Sequence, residues 1–157
     1  MSALRMPHFV LVPLLLLAGP PSIKVTMVTN PAAAPTPGAV LAVEAHHHMD
    51  GEPLVVTGRM EGLVDGRRVS RLLVVTPTRE RGHFGVTSQW EVGRPWVLVL
   101  ATEMGEHGTA VALVTVNATG KVTGIEAPDA LRSMGKPLAA GVVERSVASS
   151  LKRLGAK

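Results

Sequence analysis

Three consecutive histidines, His46-His47-His48, stand between Glu44 and the pair Met49-Asp50. On a strand, His46 and His48 point to the same face, because side chains alternate with period two. Imidazole is the commonest protein ligand for copper, zinc and nickel, and a thioether adds softness that suits copper. His46, His48 and Met49 are therefore the candidate metal ligands, with Met27 or Met60 as a further thioether from a neighbouring strand. The same residues also read as a polar strand end running into a solvated turn. Spacing alone does not choose between the two, and in the second reading the protein needs no cofactor.

Other chemistries find less support. A hydrolytic triad needs Ser, His and a carboxylate brought together in space, and Ser70, Ser88, His83 and His107 are spread over different predicted strands. No Gly-x-Ser-x-Gly elbow is present. Glu61, Asp65, Glu91 and Glu103 fall at predicted turns and strand ends, which gives no paired-carboxylate site. The glycines lie in hairpins rather than before a helix, so there is no phosphate loop. The chain contains no Cys. That excludes disulfides, thiol nucleophiles, thiolate metal sites and a lipid-modified cysteine anchor. We expect a non-enzymatic protein.

The elements that must position these residues are strands. Ile23–Thr29 alternates and is rich in β-branched residues. Asn30–Gly38 holds three prolines and reads as a long loop. Further strands are predicted over 39–47, 54–64, 68–76, 82–90, 96–102, 109–116 and 121–126. Asp65-Gly66 is the strongest hairpin signal. Gly58 and Gly62 mark bulges or close approaches of backbone. Trp96–Thr102 is apolar on both faces and so belongs in the middle of a sheet, and Thr109–Val116 is a further near-continuous strand. Trp90 and Trp96 flank a turn, where packing with the indole N–H on a carbonyl is the expected role. Turn signals recur about every 10 residues, the spacing of a sandwich or barrel. The expected fold is all-β, an immunoglobulin-like antiparallel β-sandwich of seven or eight strands with a short C-terminal α-helix.

That helix is predicted over 138–154, where Val143, Val147, Leu151 and Leu154 share one face. The chain carries 16 Lys/Arg and 12 Asp/Glu, unevenly placed. Residues 1–129 hold 10 basic and 11 acidic residues, and 130–157 hold 6 and 1. The body is near neutral, which argues against nucleic acid as a partner. The basic helix has three readings: its stripe packs on the sandwich, it lies on anionic lipid, or it meets a partner helix.

At the N-terminus, Arg5 precedes the apolar run Phe9–Ala18, followed by Gly19-Pro20-Pro21. This is the layout of a secretory signal and is too short to span a bilayer. Cleavage after Ala18, Gly19 or Ser22 fits, while Pro20-Pro21 makes the junction atypical and leaves an uncleaved anchor open. The expected organisation is a signal peptide or anchor over 1–21, a β-sandwich over 22–128 and a basic amphipathic helix over 129–157. The expected location is periplasmic or secreted, membrane-anchored if the signal stays attached.

The stretch Gly58–Arg68, then Gly85-Val86-Thr87-Ser88-Gln89-Trp90, then Pro95–Val99, then Ala112-Leu113-Val114 and Gly120-Lys121-Val122 resembles a group of exported bacterial proteins. It is more distantly similar to the YtkA-like and FixH-like modules. Those modules pair a Gly-x-Tyr strand with a Gly-x-Trp-x-Leu strand. Here Val86 replaces the Tyr, and the second Gly is displaced to Gly93. The resemblance covers about half the chain and implies an immunoglobulin-like sandwich on the outer side of the cytoplasmic membrane. It implies no catalytic residue. The leading functional expectation is a cell-envelope module that binds an unknown envelope protein or small ligand. The alternative is a periplasmic copper- or zinc-handling protein.

Overall fold

The computed structural model describes residues 21–46, 54–103, 108–139 and 141–155. All of the expected signal or anchor segment but Pro21 lies outside them, as does most of the expected hairpin tip at Gly105–Gly108. Among the described residues no helix is long and apolar enough to cross a membrane.

Among the described residues, ten strands and one α-helix follow in the order β1 (Ser22–Met27), β2 (Ala39–His46), β3 (Val56–Val64), β4 (Arg67–Leu72), β5 (Thr76–Pro77), β6 (His83–Thr87), β7 (Trp96–Glu103), β8 (Gly108–Val116), β9 (Val122–Glu126), β10 (Arg132–Met134) and α1 (Val142–Gly155). They build two antiparallel sheets. The first has the order β1-β2-β6-β5, and the second β10-β8-β7-β3-β4 with β9 also on β8. Strands one, two, six and five against four, three, seven and eight is the immunoglobulin arrangement. The sandwich and its terminal helix are as expected from the strand and turn pattern. The outer edge of β8 is shared: β10 covers Gly108–Ala110 and β9 covers Leu113–Val116.

Alternation along each strand fills the space between the sheets. Leu41, Val43, Phe84, Val86, Trp96, Leu98, Leu100, Ala112, Val114 and Val116 form its core. The core is mainly aliphatic, because the chain has few aromatic residues. Gly62 faces Trp96 so closely that a Cβ there would stand 2.8 Å from the indole ring. At the β3–β4 turn, Asp65 and Gly66 have φ of 50° and 74°, the doubly positive turn that matches strand twist. Trp90 donates its indole N–H to Gly120 O at 3.0 Å, and Trp96 donates to Glu91 O at 3.0 Å.

The strand predicted over 68–76 is divided. It leaves the second sheet after Leu72 and joins the first at Thr76, with Leu73 buried at the crossing. The strand predicted over 82–90 stops at Thr87. Beyond it the Gln89 amide takes a strand's place, accepting from Val74 N at 2.9 Å and donating to Val74 O at 2.8 Å. The loop after β1 folds over the outer face of the first sheet, where Thr36 leaves no room for a Cβ on Gly85.

The helix begins at Val142, four residues later than predicted. The preceding residues form a 3-10 turn, Asp129–Leu131, and β10, and Pro137 and the positive-φ residues Gly135 and Gly141 keep the helix from starting sooner. The stripe of α1 packs on the outer face of the second sheet. Val147 and Leu151 meet Val97, Val99, Val111 and Leu113, with Leu131 sealing the end. This second core explains why β7 and β8 are apolar on both faces. Of the three readings of the helix, its stripe is spent on the sandwich. Its basic residues Arg145, Lys152 and Arg153 are exposed.

Candidate functional site

The predicted histidine cluster divides at the end of β2. His46 is the last residue of that strand. His47, His48, Met49 and Asp50 lie outside the described residues. The inward residues of β2 are Ala39, Leu41, Val43 and Ala45, all buried. Glu44 and His46 therefore face outward from the first sheet. Across the ladder, Glu44 is registered with His83 of β6, which faces outward for the same reason: Phe84 and Val86 point into the core.

His46 and His83 thus stand diagonally on one face. Their ring centroids are 6.4 Å apart and their planes are nearly perpendicular, at 88°. Each has a carboxylate beside Nε2: Glu44 Oε2 lies 3.9 Å from that of His46, and Glu80 Oε1 lies 3.4 Å from that of His83. Glu44 also pairs with Lys24 of β1 at 3.3 Å. The row Lys24, Glu44, His46, His83, Glu80 crosses three strands. Beside it, an open groove runs between the segments Pro35–Pro37 and Pro77–Glu80 and is lined in part by His83. Among the described residues, no three His, Asp or Glu side chains already converge as a ligand shell.

The two candidate thioethers are elsewhere. Ser22, not Met27, is registered with His46, and Met27 is opposite Leu41 at the far end of β1, roughly 17 Å along the strand. Met60 is buried in the core on β3 of the other sheet. Sequence reasoning left His83 among scattered residues, because its pairing is long-range. The signal that could have found it is the strand order of the expected sandwich, in which β2 and β6 are neighbours. Of the scattered triad residues, Ser70 is on β4 and His83 on β6, in different sheets.

The opposite face carries a second constellation that sequence spacing missed. Glu61 was expected at a strand end; it sits mid-strand on β3 and is only 3% exposed. Burial of a carboxylate there is tolerable because two guanidinium groups flank it. Arg59 Nε is 2.9 Å from Oε1, off the line of a hydrogen bond, and Arg68 Nε donates to Oε2 at 3.0 Å. Both arginines then donate to the two oxygens of Glu144 on α1, each at 2.6 Å. For Arg68, burial works against the charge, but the bonds to Glu144 and Glu61 outweigh it and hold the guanidinium above its ordinary range. The four charges close a ring that pins the first turn of α1 to β3 and β4.

Beside this ring lies a cleft of about 400 Å³. Val99, Ala101 and Val111 of the sheet and Leu138 and Val143 of the C-terminal segment supply apolar walls, and Arg59 and Glu144 supply a charged rim. It is large enough for a small ligand or one apolar side chain of a partner. Compared with protein-family models, with curated proteins and with solved structures, the chain matches none.

Proposed function

We propose that this chain is a non-enzymatic binding module of the cell envelope, exported to the periplasm or the outside and held at the membrane where its N-terminal segment is retained. The Met1–Ala18 pattern supports export. The immunoglobulin-like strand order is the fold that the resemblance to the YtkA-like and FixH-like modules implies. The observation that carries the binding reading is the cleft between α1 and the second sheet. It pairs apolar walls with a charged rim, the composition of a small-molecule site. Its charged residues are engaged with one another, which suits recognition better than turnover.

A fragment screen by two-dimensional NMR tests the reading. Binding fragments should shift the amides of Val99, Ala101, Val111 and Leu138 and leave β1 unmoved. Ala101→Phe, which fills the cleft, should abolish those shifts while preserving the spectrum elsewhere. Hits that map away from the cleft, or that survive Ala101→Phe, reject it.

The second reading is copper or zinc handling. What favours it is the approach of His83 to His46 across β2 and β6.

A further inference from the structure

We infer that His46 and His83 form a two-imidazole site for a late first-row divalent ion, Cu(II) foremost. The inference rests on the metal-handling reading and names its ligands, one of which the histidine run does not contain. A metal–imidazole bond of about 2.0–2.1 Å places an ion about 3 Å from the ring centroid. Two imidazoles on one ion therefore have centroids up to about 6 Å apart. The observed 6.4 Å closes to that by a small side-chain rotation. His46 is free to make it, since 62% of its side chain is exposed. The rings stand edge to face, so the same rotation must also turn a nitrogen of His46 toward the ion that His83 holds.

The site lies on a rigid frame. Both histidines belong to paired strands whose inner faces are buried in the core, so their backbones are held in place without metal. Glu44 and Glu80 lie close to the two Nε2 atoms, and turning either toward the ion would add an oxygen ligand. Glu44 would first have to release Lys24, whose ammonium it holds at 3.3 Å. The groove beside His83 leaves the remaining positions open to water or to a ligand on a partner. Two imidazoles with exchangeable oxygens favour copper and nickel over manganese, and exclude magnesium as a competitor.

The test is metal titration of the tag-free full chain, read by calorimetry and, for Cu(II), by electron paramagnetic resonance. His46→Ala and His83→Ala should each weaken Cu(II) binding by at least about tenfold, since losing a ligand costs no less than losing a group that orients one. The double variant of His47→Ala and His48→Ala should bind within about threefold of the parent. Nitrogen hyperfine structure should report two imidazoles in the parent and fewer in His83→Ala. If His83→Ala binds like the parent while the 47/48 variant does not, the site is overturned and the metal-handling reading survives on the histidine run. If the parent binds no Cu(II), Ni(II) or Zn(II), both fall. Circular dichroism of each variant distinguishes loss of a ligand from loss of the fold.

Discussion

Replacing Glu61 with Gln tests whether the charge ring holds the helix. The substitution keeps the volume of the side chain and removes its charge. Arg59 and Arg68 are then left with only the Glu144 carboxylate. Breaking a fully buried ion pair costs about 3–5 kcal/mol, and an exposed pair is worth about 0.2–1 kcal/mol. Glu61 is almost wholly buried, but its two partners are 38% and 35% exposed along their side chains. Solvent therefore takes up part of the loss, and the cost lies between the limits, at about 1–3 kcal/mol. For a domain of this size that lowers Tm by about 3–12 °C. Glu144→Gln is the matched control. Its side chain is half exposed, so it should cost at most about 1 kcal/mol. Thermal unfolding followed by circular dichroism measures both. At about 1 M salt the Glu144→Gln effect should largely vanish by screening, while the Glu61→Gln effect persists. If Glu61→Gln melts with the parent, or costs no more than Glu144→Gln, the buried carboxylate does not organise the ring.

Three further outcomes follow from the packing. Leu151→Ala should cost about 2–5 kcal/mol by opening the core between α1 and the second sheet, and should raise binding of an apolar dye at the exposed β7–β8 face. Gly62→Ala should cost about 1–3 kcal/mol, because the new Cβ meets the Trp96 ring; a shift in tryptophan emission would report the displacement. Glu91 is held below the usual carboxylate range by its hydrogen bond from Arg71 and by that charge, with Arg94 adding to it. Its stabilising contribution is thus complete above the unfolded carboxylate pKa and is lost as pH falls through the lower folded value. Since Arg71 also lies 5.4 Å over the Trp96 ring, Arg71→Ala should abolish this acid-side dependence and change tryptophan emission at neutral pH. An unchanged acid transition in that variant counts against the pair.

Local chemistry was legible wherever a few neighbouring residues decide it. Asp65-Gly66 specifies its turn because both residues tolerate positive φ. Alternation in Ala39–His46 and in His83–Thr87 specifies which side chains enter the core. The two-faced apolar run of β7 placed it in the middle of a sheet, and the spacing of Val143, Val147, Leu151 and Leu154 announced a helix with one apolar face; that the helix covers β7 and β8 came from the structure. Cysteine's absence settled that packing and the ladder hold the sandwich together. Short β10 was not legible, since three residues give no measurable period; they are a strand only because the edge of β8 is there to pair them.

The sites were decided by tertiary structure. His83 reaches His46 because β2 and β6 are neighbours in the sheet, although the chain between them visits the other sheet first. The same topology removes Met60 to the opposite sheet, and antiparallel register puts Met27 at the wrong end of β1. Glu61 acquires its meaning only from Arg68, across a hairpin, and from Glu144, which arrives on the helix 83 residues later. Periodicity tells each side chain which way to face; which other side chain it then meets depends on pairings between distant strands, and those are set by closing the whole core.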